Sequence, residues 1–300
     1  MSATTTATTR AAKSMLTGGK PRGLLSDALR RLTRSRGSLA GGIVLALVTL
    51  LCFAAPLLTP YNPERPALRI KLQEPTVTHL FGTDEFGRDI FTRVLYGGQI
   101  SLPVGLIALA IGATIGTAIG LTSGYFGGRV DGIFMWFIDV LLAFPGILFA
   151  LLVVAILGVD LKFVMIAVGI SLVPRFARLV RGVVLSAKQN LYVDAARSVG
   201  IPEGQIMLRH VLPNVISPVV IMGTLSLGTA ILTAAGLSFL GLGAKPPSPE
   251  WGAMLSEGRQ FLGGQWWIAT FPGLAILLTV LSVNLIGDGL RDALDPKLRY

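Results

Sequence analysis

Long apolar stretches alternate with polar ones along this sequence. Six of the apolar stretches are close to the roughly 20 residues that an α-helix needs to cross a membrane. They lie at 39–59, 100–122, 132–157, 163–183, 215–240 and 266–288. The longest polar segments between them are 60–98, 184–214 and 241–265. The pattern predicts an all-α membrane protein with six transmembrane helices.

Composition and charge agree with this pattern. Hydrophobic residues make up 52% of the chain and charged residues only 14%, which is too apolar for a soluble domain. A net charge of +10 would also suit a nucleic-acid-binding protein, but Lys and Arg flank the apolar stretches, as they do in chains oriented in a membrane. We therefore exclude nucleic acid as a partner. The basic residues predict cytoplasmic termini and a cytoplasmic 184–214 segment, with 60–98 and 241–265 outside.

The sequence divides into four predicted segments. They are a cytoplasmic tail (1–37), the first transmembrane helix with an extracytoplasmic loop (38–99), a core of five helices (100–290) and a cytoplasmic C-terminal tail (291–300). Residues 1–22 are rich in Thr and Ala and are predicted to be disordered. Leucines and arginines at 24–36 predict either an amphipathic helix on membrane lipid or a basic flank of the first span.

The 184–214 segment is a polar island between two predicted spans. Asp194 favours the positive end of a helix, and Gly200 can end that helix in a left-handed conformation. Pro202 suits the first turn of a second helix, while Pro213 disfavours its continuation. The segment therefore predicts two short helices joined by a turn. Such a projection would suit a membrane protein that binds a partner on its cytoplasmic side.

Residues 194–213 carry a resemblance to a known family. The series Asp194-Ala195-Ala196, Gly200, Leu212-Pro213 resembles the coupling-loop motif of ABC-importer permeases. That motif reads Glu-Ala-Ala, three residues, Gly, nine residues, Ile, one residue, Leu-Pro. Here Asp194 stands in place of the Glu and His210 in place of the Ile, while the spacings agree. In addition, residues 82–89 (Gly-Thr-Asp-Glu-Phe-Gly-Arg-Asp) resemble the segment after the first span in the C-type permease of dipeptide and oligopeptide systems.

The resemblance implies partners and an activity. It implies a permease that pairs with a second, related permease and receives its solute from an extracytoplasmic solute-binding protein. Two cytoplasmic ATPases, which bind ATP and Mg, would drive it. By resemblance, the residues that couple to an ATPase are Asp194, Ala195, Ala196, Gly200, Ile201, Leu212 and Pro213. The expected solutes are di- and oligopeptides. Nickel or glycosides are alternatives for the same architecture, and a membrane scaffold without transport is an alternative of another class.

The sequence itself offers little that could do bond chemistry. The pattern Gly-x-x-x-x-Gly-Lys-Ser/Thr is absent, so another chain would have to bind ATP. One Cys and two distant His give no cluster with metal-ligand spacing. Ser238 could be the nucleophile of an intramembrane serine protease only with a base in reach, and His79 and His210 are predicted to lie at other depths. We therefore expect no catalytic residue, metal or cofactor in this chain, and a Ser238 hydroxyl that bonds within its own helix.

Few ionisable or hydroxyl side chains lie within the predicted spans. Asp139 is roughly 12 Å into the third span, where a lone carboxylate is costly. We predict that it is buried in an ion pair with Arg175 or Arg178; contact with the solute, or a gate, is the alternative. The fifth span carries four hydroxyls, which either line a water-filled path or bond to their own helix: Thr224, Ser226, Thr229 and Thr233.

Glycine and proline predict how the helices approach and bend. Gly112, Gly116 and Gly120 repeat every four residues, which allows a second helix to approach closely. Three prolines inside the spans are expected to bend or break their helices: Pro145, Pro174 and Pro272. Residues 84–96 predict an interfacial helix with its charges on one side.

Overall fold

The computed structural model describes residues 35–294, in which eleven α-helices and no strand are found. The long helices are α1 (Arg36–Phe53), α3 (Ile90–Phe126), α6 (Leu161–Ala187), α9 (Leu212–Phe239) and α11 (Trp267–Leu294). The shorter ones are α2 (Ala55–Leu58), α4 (Gly128–Leu142), α5 (Gly146–Leu157), α7 (Leu191–Ser198), α8 (Glu203–Ile206) and α10 (Trp251–Gly258). The predicted N-terminal disorder, the predicted helix or basic flank up to residue 34, and the last residues of the C-terminal tail lie outside the described residues.

The helices give the predicted six crossings. Five of them are long and apolar enough to cross a membrane, and α4 with α5 makes a sixth when the bent pair is taken as one span. The direction of the chain supports this count. Lys188 Nζ donates to the Gly124 carbonyl at 3.2 Å, so α3 and α6 end on the same side. The chain between them, α4 and α5, must therefore cross back.

The third span is sharply broken. α4 and α5 meet at 93°, and Pro145 caps the start of α5. This confirms the break predicted from Pro145, which lacks an N–H and favours an extended residue before it. Pro174 and Pro272, in contrast, lie inside continuous helices. Pro174 is buried, as are its neighbours Val173 and Phe176.

A row of glycines joins α3 to α6. A Cβ at Gly116 would lie 2.5 Å from Phe176 Cβ, and one at Gly112 would lie 2.6 Å from Leu172 Cβ. A Cβ at Gly120 would lie 2.4 Å from the Ala177 carbonyl oxygen. The close approach predicted from these three glycines is confirmed, and α6 is the partner helix.

The helix predicted at 84–96 begins later, at Ile90, and continues without a break into the second span. The boundary drawn between residues 99 and 100 therefore falls inside α3. Asp89 caps the helix by accepting a hydrogen bond from Thr92 N at 2.8 Å. Gly87 has φ +72, which a helix does not allow, so residues 82–89 form a turn before it.

The charges of this turn face inward instead of lying at an interface. Arg88 and Arg93 are buried and donate to Glu257 Oε2 at 3.1 and 3.0 Å. Asp84 Oδ2 accepts from Arg88 Nε at 2.6 Å. Burial of a charge is tolerated when the charge is paired and hydrogen-bonded, as these are. We call this side of the bundle, formed by residues 59–89 and 241–266, the loop end.

Candidate functional site

The polar loop, residues 191–211, forms the other end of the bundle. Its first helix, α7, begins at Leu191 because Asn190 has the extended backbone of an N-cap, three residues before the predicted start. Gly200 ends the helix with φ +80, as predicted. Gly200 N bonds to the Arg197 carbonyl at 2.9 Å and Ile201 N to the Ala196 carbonyl at 3.2 Å, which is the Schellman arrangement.

The second part of the polar loop continues directly into a transmembrane helix. Pro202 lies just before α8, and a π-helical turn, Met207–Val211, follows. The prediction that Pro213 ends this helix is wrong. In the wide turn Leu212 N bonds to the Met207 carbonyl, and Pro213 lies in the first turn of α9, where a missing N–H is tolerated. A displacement of the polar loop would therefore pass straight into α9.

The residues matched to the coupling motif divide into an inner and an outer set. Ala196 is only 5% exposed and packs with Val193, Ile206 and Val211 against the ends of α3 and α6. Asp194, Ala195, Gly200 and Pro213 are exposed, and Ile201 and Leu212 are half-buried. Among the predicted coupling residues, the exposed set is available to a partner, whereas Ala196 supports the loop from within.

Large apolar side chains surround this outer set. Leu191 and Val199 are 86% and 81% exposed, and Leu208 and Tyr192 are also exposed. An exposed apolar group within a polar segment is typical of an interaction surface. These residues were not predicted from the sequence, although apolar side chains at both ends of a short polar helix are a signal that the sequence contains.

Hydrogen bonds hold the two helices of the polar loop in place. Arg197 Nε donates to Glu203 Oε1 at 3.1 Å across the turn, and the hydroxyl of Tyr125, at the end of α3, donates to Glu203 Oε2. The bonds to Glu203 and then to Tyr125 raise the pKa of Arg197 above its usual value. The turn at Gly200 is thus fixed to the membrane helices as well as by its own backbone.

Within the membrane, Asp139 and Arg178 form an ion pair. Arg178 Nη2 donates to Asp139 Oδ1 at 2.6 Å. The pair is not buried, contrary to prediction, because the two side chains are 59% and 56% exposed in this chain. Ile138 is the one buried residue of α4, so no other described part of the chain covers Asp139 on the outer side of that helix. Arg175, the other predicted partner, makes no ion pair among the described residues.

A cavity of about 170 Å³ lies beside the break in the third span. Its wall includes Phe144, Gly146, Arg175, Thr229 and Thr233, which belong to the break, α5, α6 and α9. Two of the four predicted path hydroxyls therefore line a cavity.

The four predicted path hydroxyls differ in their hydrogen bonds. Thr224 and Thr233 bond back to the carbonyls of Ile221 and Thr229, both at 2.8 Å. Ser226 is buried. Bonding to their own helix, one of the two alternatives, is thus observed for Thr224 and Thr233, and the lining of a water-filled path stays a prediction.

Ser238 lacks the neighbours of a nucleophile. Its hydroxyl is buried and has no hydrogen-bond partner among the described residues, so the expected bond within its own helix is absent. His79 Nδ1 lies 2.9 Å from Asp89 Oδ2 at the loop end, and His210 lies in the polar loop. The protease alternative would require a base that is hydrogen-bonded to Ser238, and none of the described residues is one.

Comparison with known families agrees with this geometry. Residues 116–300 match the model of the binding-protein-dependent transport system inner membrane component. Residues 23–75 match the model of the N-terminal transmembrane domain of oligopeptide transport permease C. The first match contains the polar loop and the cavity, and the second contains the first span.

Curated relatives align along nearly the whole chain. The dipeptide transport system permease protein DppC of Alkalihalophilus pseudofirmus is 46% identical over 275 residues, which cover 91% of this chain and 90% of the relative. The glutathione transport system permease protein GsiD of Pectobacterium atrosepticum is 49% identical over 271 residues, which cover 90% of each chain. This chain therefore belongs to the family of binding-protein-dependent transport permeases of the bacterial inner membrane.

Proposed function

We propose that this chain forms one half of the translocation path of an ATP-driven importer of di- and oligopeptides. The observation that carries the proposal is the polar loop, which joins an exposed surface at one end of the bundle to a transmembrane helix without interruption. The names of the relatives, a dipeptide and a glutathione permease, favour short peptides over nickel or glycosides as the solute.

The polar loop is the proposed contact with an ATPase. Asp194 and Ala195 lie on its exposed side, with Leu191 and Val199 beside them. A small side chain at residue 195 leaves room for the wall of a groove, and the apolar neighbours gain from burial there. Two cytoplasmic ATPase subunits bind ATP and Mg in this proposal, and the chain described here does no bond chemistry.

A second, related permease is the proposed partner within the membrane. The α4 and α5 helices expose many large apolar side chains together with the Asp139–Arg178 pair. An ion pair at this depth is costly if it faces lipid, so we place it toward the partner or the path between the two chains. The loop end, rigidly held by buried charges, is the proposed platform for the solute-binding protein.

Reconstitution tests this function. The chain is assembled in liposomes with the second permease and the ATPases, and the solute-binding protein and a labelled dipeptide are supplied. ATP-dependent accumulation of the dipeptide is expected, and omission of this chain is expected to abolish it. Accumulation of nickel or a glycoside, with none of the dipeptide, would contradict the proposed solute class. No ATP-dependent accumulation of any solute would contradict transport.

A further inference from the structure

Three arginines follow one another at every third position of α6: Arg175, Arg178 and Arg181. Two of them are paired with carboxylates of α4. Arg181 donates twice to Asp131, from Nε and from Nη2, both at 2.6 Å. Arg178 donates to Asp139 at 2.6 Å. Two ion pairs thus join the two helices.

The third arginine has no carboxylate. Arg175 makes neither an ion pair nor a side-chain hydrogen bond with any residue between 35 and 294. The fold explains this, because α4, which carries both aspartates, ends at Leu142 before the 93° bend. Arg175 instead lines the cavity beside the break, together with Phe144 and Gly146.

The position of Arg175 makes an uncompensated charge costly. Arg175 lies 14 residues beyond Leu161, the first residue of α6, which is about 21 Å along a helix that crosses a hydrocarbon core of roughly 30 Å. Charged side chains at such depth face a partner or a water-filled path, and they mark routes for charged solutes.

We propose that Arg175 binds the terminal carboxylate of the peptide in transit, which supplies the charge that α4 lacks. This inference rests on the proposed function. Thr229, on α9, lies across the same cavity, and its hydroxyl makes no side-chain hydrogen bond as a donor among the described residues. Arg175 and Thr229 together offer donors to the two oxygens of a carboxylate.

The size of the cavity sets what it accepts. The cavity of about 170 Å³ has room for several water molecules, and therefore for a carboxylate group. The site therefore recognises the end of a peptide, and the rest of the solute lies in the open path. The free carboxylate is common to all unmodified peptides, so the site is independent of their sequence.

The test compares two peptides in the reconstituted importer. One is a labelled dipeptide with a free carboxyl terminus, and the other is the same dipeptide amidated at that terminus. Initial rates are measured for the wild-type chain and for Arg175→Gln, Arg175→Lys and Arg129→Gln. Arg129 is exposed on α4 and makes no ion pair among the described residues, which makes Arg129→Gln a matched charge control. Preferences of the solute-binding protein cancel, because each variant is compared with wild type on the same peptide.

We expect Arg175→Gln to lower the initial transport rate of the free-acid peptide about tenfold or more, because a hydrogen bond to a charged group is lost. The rate of the amidated peptide should stay within about twofold of wild type. Arg175→Lys should keep most of the rate. An equal fall in the rates of both peptides would contradict the carboxylate site. It would mean that Arg175 has a structural role or forms an ion pair with an acidic residue of the second permease. Unchanged rates for both peptides would also contradict the site. If wild type carries neither peptide, the proposed function fails and the carboxylate site fails with it.

Discussion

The two ends of the bundle use charge in opposite ways. At the loop end, Arg88 and Arg93 are buried and share Glu257, and the turn around them is closed by contacts between distant parts of the chain. In the polar loop, Arg197 and Asp194 are largely exposed, and their contacts are local. A buried network of ion pairs fixes one geometry, whereas an exposed one leaves a surface for a partner. The difference suggests a rigid platform at one end and a docking surface at the other.

The largest effect should come from the buried network of the loop end. Glu257→Gln removes the charge shared by Arg88 and Arg93 and leaves two buried cations with Asp84 alone. We expect the free energy of unfolding to fall by about 3 kcal/mol or more. Chemical denaturation of the purified chain in detergent measures it. Glu74→Gln, an exposed residue without an ion pair among those described, is the control and should change little. Equal stability of the two variants would contradict a structural role for the network.

The next effect uses two glycines with the same backbone. Gly87 and Gly200 have φ +72 and +80, but a Cβ at Gly87 would lie 2.0 Å from the Ala67 carbonyl oxygen, whereas nothing lies within 4 Å of one at Gly200. Gly87→Ala should therefore lower stability by about 2 kcal/mol or more, and Gly200→Ala by about 1 kcal/mol, the strain of positive φ alone. Denaturation midpoints of both variants measure the difference. Similar losses of stability would show that the loop end is not more closely packed around Gly87 than the polar loop is around Gly200.

A smaller difference is expected between two neighbouring alanines of the polar loop. Ala196 packs against Val193 and Ile206, while Ala195 is exposed. Ala196→Leu should lower stability by about 1–3 kcal/mol because it overfills this packing. Ala195→Leu should stay within about 0.5 kcal/mol of wild type. Thermal unfolding in detergent compares the stabilities of the two variants. A larger loss for Ala195→Leu would mean that Ala195, and not Ala196, faces the membrane helices.

The smallest effect in the isolated chain should come from the exposed pair Asp139–Arg178. Asp139→Asn should cost no more than about 1 kcal/mol, as is usual for an exposed ion pair. In the assembled permease pair the loss should be larger, because the second chain would cover it. Unfolding midpoints are measured for both states. Asp288→Asn is the control, because Asp288 is exposed and makes no ion pair with another described residue. An identical shift in both states would show that this face stays open on assembly.

Local features of the fold could be predicted from the sequence, and long-range ones could not. The turn at Gly200 depends on a few adjacent residues, and the break at Pro145 depends on one missing N–H, so both were predictable. The glycine row of α3 predicted that another helix packs closely against it, but not which helix. Charge and depth predicted an ion pair of Asp139 with either Arg175 or Arg178, but neither the choice of Arg178 nor the exposure of the pair, which depends on what covers α4.

Other errors have the same origin. Arg93 was expected on a polar face, but its partner Glu257 lies 164 residues away in the sequence, and no local pattern indicates that pairing. Ala196 was assigned with Ala195 to the residues that couple to an ATPase, but the packing of α7 on α3 and α6 buries it. Pro213 was expected to end a helix, and the π-helical turn before it removes the need for its N–H. In each case a tertiary contact or an unusual backbone overrode a sound local preference.

The most direct test of the account is whether the polar loop holds an ATPase. Ala195→Trp places a large side chain on the outer set without touching the inner packing, and Val77→Trp places one on the loop end, where Val77 is 95% exposed. Both variants are purified with the second permease, and retention of the ATPase subunits and peptide-stimulated hydrolysis are measured. We predict that Ala195→Trp loses the ATPases and the stimulation while Val77→Trp retains the ATPases. Normal retention and normal stimulation in Ala195→Trp would contradict the claim that this loop couples ATP hydrolysis to transport.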